Sequence, residues 1–414
     1  MKRIKFSNYD EQLKKLKQKG LNVENDDLVV EFLKSNGYYN LITKYKNDWY
    51  VDNKQYPPET SIYDLYLYHR LEDDLRNILF RFTITFEKRL KETMAYCISK
   101  EIGIYETDYL NPSKYRRRQY KHARKITSLL CETLEGTKYN PTKYYRENYD
   151  GVPPWILLNN ISLGQTRALL SVFPFEMSDY VACHLLPFNN NICIKYYWAR
   201  TLQRDKAKEL LKLYRSNNYT LEIECINDAQ FTCIKNAKAK YIELVKNMIS
   251  IIHDFRNSLA HGHQLIHSKS SPKNRLKLSS LRVFVKEDVI SDNEFHQGLG
   301  KNDLFAFMLS LLLLLDKYDA KYFINQLEDW ISRNTETSDV KKIFIKFITE
   351  GCDLPFDFVS RLSKVNIEKT DREQEVKLHQ ATQKIYTNLS ELTKELNQDN
   401  HSPKSTTTTV FRKR

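Results

Sequence analysis

Apolar residues recur every three or four positions through long stretches of this chain. The longest such stripe comprises Ile62, Leu65, Leu71, Leu75, Ile78, Leu79, Phe82, Phe86, Leu90 and Met94. Pro57 and Pro58 precede it, and Thr60 or Ser61 stands where a helix N-cap belongs, so the pattern predicts a helix from there to about Ser99 with a kink near Thr83 to Thr85. Arg76, Arg81, Lys88, Arg89 and Lys91 line its flanks. A second stripe, Tyr241, Leu244, Val245, Met248, Ile249, Ile252, Phe255 and Leu259, falls within one arc at about 100° per residue and predicts a helix from Lys240 to Ala260. LFAFMLSLLLLL, from Leu304 to Leu315, is apolar on every side. It lies between Asp303 and Asp316 and falls short of the roughly 20 residues of a membrane span, so it reads as a buried core helix continuing to about 332. Between Leu276 and Ile290 the pattern alternates instead, which predicts short strands in a hairpin-like insertion.

The remaining segments fit the same helical frame. A lysine-rich amphipathic start leads to Tyr38, Tyr39, Leu41, Ile42, Tyr45 and Trp49, whose spacing suits a small core better than a surface for stacking bases. Gly151 to Gly164 is a turn followed by an apolar helix start, with helices continuing to about Leu213, broken at Phe173-Pro174 and Leu186-Pro187. A helical piece reaches about Ser363, and the last fifty residues carry a polar amphipathic helix and a basic tail with nothing to bury. Ten glycines and eleven prolines supply too little turn chemistry for a many-stranded sandwich or barrel. The expected class is mainly α: a helical bundle with extra N- and C-terminal helices and a small β insertion. Its expected parts are residues 1–59, 60–335 with an insertion at about 268–295, 336–366 and 367–414.

Charge narrows the partners. Sixty-five basic against fifty-two acidic residues leave a formal charge of +13, a field that draws in polyanions. The densest run, Lys114 to Lys125, holds Lys114, Arg116, Arg117, Arg118, Lys121, Arg124 and Lys125 interleaved with Tyr115, Tyr120 and His122. It reads equally as an RNA-binding surface or as a solvated helix face. Seven cysteines without a Cys-x-x-Cys pair point to reduced thiols rather than a disulfide framework or a zinc site. The charged N-terminus is no signal peptide, so the expected location is cytoplasmic, away from membranes.

Candidate chemistry concentrates in Phe255-Arg-Asn-Ser-Leu-Ala-His-Gly262. Arg256 falls inside the apolar arc of its helix, where a guanidinium needs an acid or a phosphate; either Glu87 meets it, or a cleft opens there for an anionic ligand. Asn257 and His261 are four residues apart and share a face, with His253 flanking it, while Gly262 is the natural residue to end the helix. Histidine titrates near neutrality and can exchange protons in a reaction. Cleavage of RNA by its own 2′-hydroxyl requires a base, an acid and a cation on the phosphate, and no metal or cofactor. On an unbroken helix, however, Arg256 and His261 stand about 140° apart. They share a cleft only if the last turn unwinds or if two copies of the chain meet, and two copies would also supply two histidines. His253, His261, His263 and His267 imitate a metal site by spacing alone.

The string RNSLAH resembles the Arg-polar-x3-His signature of the HEPN superfamily of helical ribonucleases. GYYNLITKY near residue 40, LYHRLEDDLRNILFRFTITFEKRL in the long helix and PPWILLNNISLG near 155 resemble, in order, the Abi family of bacterial phage-defence proteins (the AbiD/AbiF group), over about residues 30 to 320. The resemblance implies a HEPN-like bundle, a homodimer with a composite site, and a metal-independent endoribonuclease used in abortive infection or as a toxin with an antitoxin. It gives the catalytic roles to Arg256, Asn257 and His261. Through likeness to the ancestors proposed for type VI RNA-guided CRISPR effectors, it also implies a structured noncoding RNA as partner. The segment 276 to 290 and the tail after 365 fall outside it. Two other readings stand beside it: an RNA-binding protein without catalysis, in which the basic run does the work, and a helical scaffold for another protein or an acidic surface.

Overall fold

Two short helices open the chain, α1 (Tyr9–Gln18) and α2 (Asp26–Asn36), each starting on an asparagine whose side-chain oxygen accepts an amide: Asn8 from Glu11 and Asn25 from Leu28. This computed structural model describes residues 5–51, 54–187, 228–282 and 284–365. The chain divides into two units, Met1–Pro187 with Lys240–Glu368, and Phe188–Ala239 with Lys369–Arg414. Of the second, only 228–239 are among the described residues, as the opening turns of a helix. The helices expected between 188 and 213, the terminal amphipathic helix and the basic tail lie outside the described residues.

The first unit is organised along α3 (Ile62–Glu101), a helix of 40 residues. Ser61 caps it reciprocally: its hydroxyl accepts from the Asp64 amide at 3.3 Å, and the Asp64 carboxylate accepts from the Ser61 amide at 2.7 Å. No break occurs at the expected kink. The hydroxyls of Thr83 and Thr85 donate back to the carbonyls of Leu79 and Arg81 at 2.8 and 3.2 Å, which satisfies both polar groups without interrupting the helix. After α3 come α4 (Tyr120–Gly136), α5 (Leu163–Ser171) and α6 (Phe175–Leu185), with Phe173 and Pro174 separating the last two.

The segment carrying the candidate chemistry is the end of α7 (Asp228–Ala260). Its apolar face is held by α8 (Leu304–Leu314), capped by Asp303 and buried at every position. Phe255 stacks on Phe307 with ring centroids 4.6 Å apart and planes 3° from parallel, so the aromatic residue just before Arg256 is locked in the core. Helices α9 (Lys317–Arg333) and α10 (Ser338–Lys346), a single π turn at Phe347–Gly351 and α11 (Phe358–Ser363) complete the unit, with α6, α8, α9 and α10 all packing against α3. No described helix is long and apolar enough to cross a membrane.

The strands expected between 276 and 290 do not form. A short helix, Leu278–Leu281, is followed by turns, and among the described residues the one β contact is an isolated bridge from Asn22 to Ser61. The alternation misled because the apolar residues are buried through compact turns: amides of Val285 and Ile290 bond back to the carbonyls of Leu281 and Lys286, and Phe284, Val285, Val289 and Ile290 are all buried. In the aromatic segment near residue 40, Leu41, Ile42, Tyr45 and Trp49 are core and Tyr39 is exposed.

Candidate functional site

Helix α7 ends in a tight reversal that fixes His261. The amide of Gly262 bonds to the carbonyl of Leu259 and that of His263 to Ser258, at 3.3 and 2.9 Å, with Gly262 at φ +65°, a conformation that a side chain would strain. His261 occupies the last half-helical position, its amide still bonded to the Asn257 carbonyl at 3.1 Å, and its side chain is exposed. Its ring lies 5.8 Å from that of His263. The helix therefore stays wound up to His261, and the turn does not rotate the imidazole towards Arg256.

Behind His261 a polar row climbs the same face. Asn257 Nδ2 donates to His253 Nε2 at 3.3 Å, which leaves the other ring nitrogen of His253 to face Asp254 at 3.4 Å. The His253 ring presses on the start of α5 so closely that a Cβ at Gly164 would stand 3.1 Å from Nε2. Asp254 also ties down the following loop, accepting from the Ser270 hydroxyl at 2.6 Å, the Asn274 amide group at 3.0 Å and the Ser271 amide at 3.3 Å. Burial alone would raise the Asp254 carboxyl, but hydrogen bonds from His253, Ser270 and Ser271 outweigh it and hold the group down at about 2. It stays ionised beside the imidazole.

Arg256 points elsewhere, towards α3. Its Nε stands 3.8 Å from Glu87 Oε2, beyond hydrogen-bond range, and both atoms are buried without a partner. Glu87 spends its other oxygen on Lys91, at 2.8 Å one turn along α3. The Arg256 side chain is 28% exposed, so one part of the guanidinium meets an acid imperfectly and another part reaches solvent. Among the described residues no contact joins Arg256 to His261. One chain presents the two on separate surfaces, as the helical geometry requires.

The basic run is divided by the fold. Lys114, Arg117, Arg118, Lys121, Arg124 and Lys125 are exposed, while Tyr115 is buried and donates its hydroxyl to the Tyr109 carbonyl at 2.7 Å. Arg116 is half-buried, with its amide bonded to the Val172 carbonyl at 2.9 Å at the end of α5. It lies near enough to Lys246 of α7 to affect it: burial first, then the Arg116 charge, lowers the Lys246 ammonium to about 8.

Lys246, Arg167 and Asp254 were not singled out from the sequence. A signal existed for the first: Lys246, Ser250, His253, Asn257 and His261 follow one another at helical spacing on a single face of α7. Arg167 carried none, because only folding brings its guanidinium to Ser250, at 3.4 Å. Among the described residues, no group of His, Cys, Asp and Glu side chains is arranged to hold a metal ion.

A mainly helical protein whose long central helix supports a helix ending in Arg-Asn-x3-His is the class these elements define. The Abi-like protein family matches residues 31–267, more than half of the chain and inclusive of the whole candidate segment, so the chain belongs to that family. No curated protein and no solved structure matches it.

Proposed function

We propose that the protein is a metal-independent endoribonuclease of phage defence, acting in abortive infection or as a toxin held by an antitoxin, with a HEPN-type site completed by a second copy of the chain. Membership in the Abi-like family supports the defence role. One observation carries the chemistry: an incompletely paired arginine that partly reaches solvent, on the helix that presents an exposed histidine at its end. Nε faces Glu87 at 3.8 Å in the interior, and the part of the guanidinium that reaches solvent retains capacity for a phosphate.

Two copies related by a twofold axis bring two His261 imidazoles and two Arg256 guanidinium groups to one cleft. One imidazole takes the proton from the 2′-hydroxyl as the O2′–P bond forms. The other gives a proton to the departing 5′-oxygen as the P–O5′ bond breaks. Arg256 neutralises charge on the crowded phosphate, and Asn257, bonded to His253, orients the sugar or the imidazole. The products are a 2′,3′-cyclic phosphate and a 5′-hydroxyl.

The test is cleavage of a mixed-sequence RNA in the presence of a metal chelator, followed by identification of the new ends. Cyclic phosphate ends from the wild type, none from His261→Ala or Arg256→Ala, and none from a substrate deoxy at the cut position are expected. Full cleavage by His261→Ala would remove the assignment. A second reading, RNA binding without cleavage, draws on the separation of Arg256 and His261 within one chain; a strictly monomeric protein that binds RNA and yields no products would favour it.

A further inference from the structure

Arg116, Arg167 and Lys246 are all half-buried, and none has an acidic partner among the described residues. Partly desolvated cations near one another repel, and a folded chain relieves that with a carboxylate unless the position is kept for an anion from outside. Two observations place the charged heads: the Arg167 guanidinium of α5 reaches the Ser250 hydroxyl at 3.4 Å, one turn along α7 from Lys246, and the Arg116 charge acts on the Lys246 ammonium, while the Arg116 main chain is held at the end of α5 by its amide on Val172. Arg116 belongs to the exposed basic run that continues into α4. Lys246 begins the polar row of α7 that passes Ser250, His253 and Asn257 and ends at His261, about 22 Å away along the helix axis.

We infer that Arg116, Arg167 and Lys246 form a phosphate-binding subsite for RNA, the middle of a track that leads a strand from the basic run at Lys114 to Lys125 along α7 to His261. The ligand is a phosphodiester backbone rather than a single anion, because the exposed cations on one side and the polar row on the other extend the site well beyond one phosphate. The inference rests on the reading of the ligand as RNA, but not on catalysis. Arg167 and Lys246 act in positioning: they set where along the strand the exposed histidine falls.

The test uses the full chain carrying His261→Ala, so that substrate survives, and a fluorescently labelled single-stranded RNA of mixed sequence, with binding followed by anisotropy at several salt concentrations. Arg116→Gln, Arg167→Gln and Lys246→Gln are each expected to weaken binding about five- to tenfold at low salt and to reduce the salt slope by about one. Lys341→Gln, an exposed lysine on α10, controls for net charge and is expected to leave the slope unchanged. Folding is checked by thermal melting; Lys246→Gln removes a disfavoured charge and is expected to melt no lower than its parent. A triple variant that melts like its parent and binds RNA with the same affinity and slope overturns the inference and leaves the nuclease reading intact. Saturable binding of inorganic phosphate that is lost in the triple variant, with RNA binding unchanged, also overturns it, as a small-anion site. If the single variants lose affinity as expected while protein with His261 intact yields no cleavage products, the subsite stands and the nuclease reading falls. No binding of RNA by the parent removes both.

Discussion

Two glutamates on α3, about four turns apart, show what a committed charge cluster looks like and what an open one looks like. Glu72 is fully buried, and both its oxygens are used. Lys44 lies at 2.6 Å, Arg76 donates at 3.2 Å, and the Tyr45 hydroxyl and the Leu265 amide complete the set. With its single proton on Glu72, the Tyr45 oxygen accepts from His69 Nδ1 at 2.9 Å. That knot clips the loop after His261 to the central helix and to the N-terminal segment. Glu87 and Arg256 are a looser pair, 3.8 Å apart, unbonded, with the arginine part-way into solvent. Burial makes an incomplete pair unfavourable, and an anion from outside the chain would relieve it. The first cluster reads as architecture; the second is the pair that the phosphate of the proposed site would complete.

Substitutions should separate the two. The largest effect is expected from Arg256→Ala: RNA cleavage falls at least about a hundredfold, while the melting temperature moves by only about two degrees, as gel assays and calorimetry would register. A loss of stability large enough to account for the lost activity would place Arg256 with the structural cluster. Next is Glu72→Ala, which strands Lys44 and Arg76 and should remove about 3–5 kcal/mol of folding stability in urea titrations. Glu87→Gln is expected to remove less, about 1–3 kcal/mol by the same measurement, since it leaves one buried cation, Lys91, without its charged partner where Glu72→Ala leaves two. If the two glutamate variants were equally destabilised, the contrast would collapse.

Two smaller effects concern the ionised groups along α7. Lys246→Met deletes an ammonium that burial holds at about 8; at neutral pH the melting temperature should rise by a few degrees as RNA affinity falls. Equal affinity in that variant would separate Lys246 from the RNA track. Asp254 has its carboxyl pulled from the usual 3.8 down to about 2, so its contribution to stability is complete above about 4 and disappears as pH falls towards 2. Asp254→Asn lacks that contribution, and the gap between wild type and variant in acid unfolding should close over the same interval. A gap that persisted at pH 2 would trace the effect to lost packing rather than to charge.

Much of the frame was legible beforehand. Ile62–Glu101, the end of α7 at Ala260 and the buried helix from Leu304 announced themselves because a helix that buries one face must repeat its apolar residues near every 3.6 positions, and because Ser61, Asp303 and Gly262 carry cap chemistry that few other residues can supply. The segment 276–290 was misread because alternation over so few residues fits compact turns as well as strands when every apolar side chain finds a core to enter. In the candidate site, the 140° between Arg256 and His261 was computable from helical geometry alone. That Tyr115 turns inward and Arg116 stays half-buried was not, since the basic run is uniform in charge and only its neighbours distinguish one member from the next.

Periodicity and capping were enough to place the long helices and the faces they bury, because both act between residues a few positions apart. The partners came from packing: Glu72 and not Glu87 is fully satisfied, Gly164 receives His253, and Arg167 comes to Ser250 on α7. Those outcomes depend on distances between segments far apart in the chain. Such distances are set by how whole helices pack, and an ionic contact a single ångström too long is a different object from one that closes.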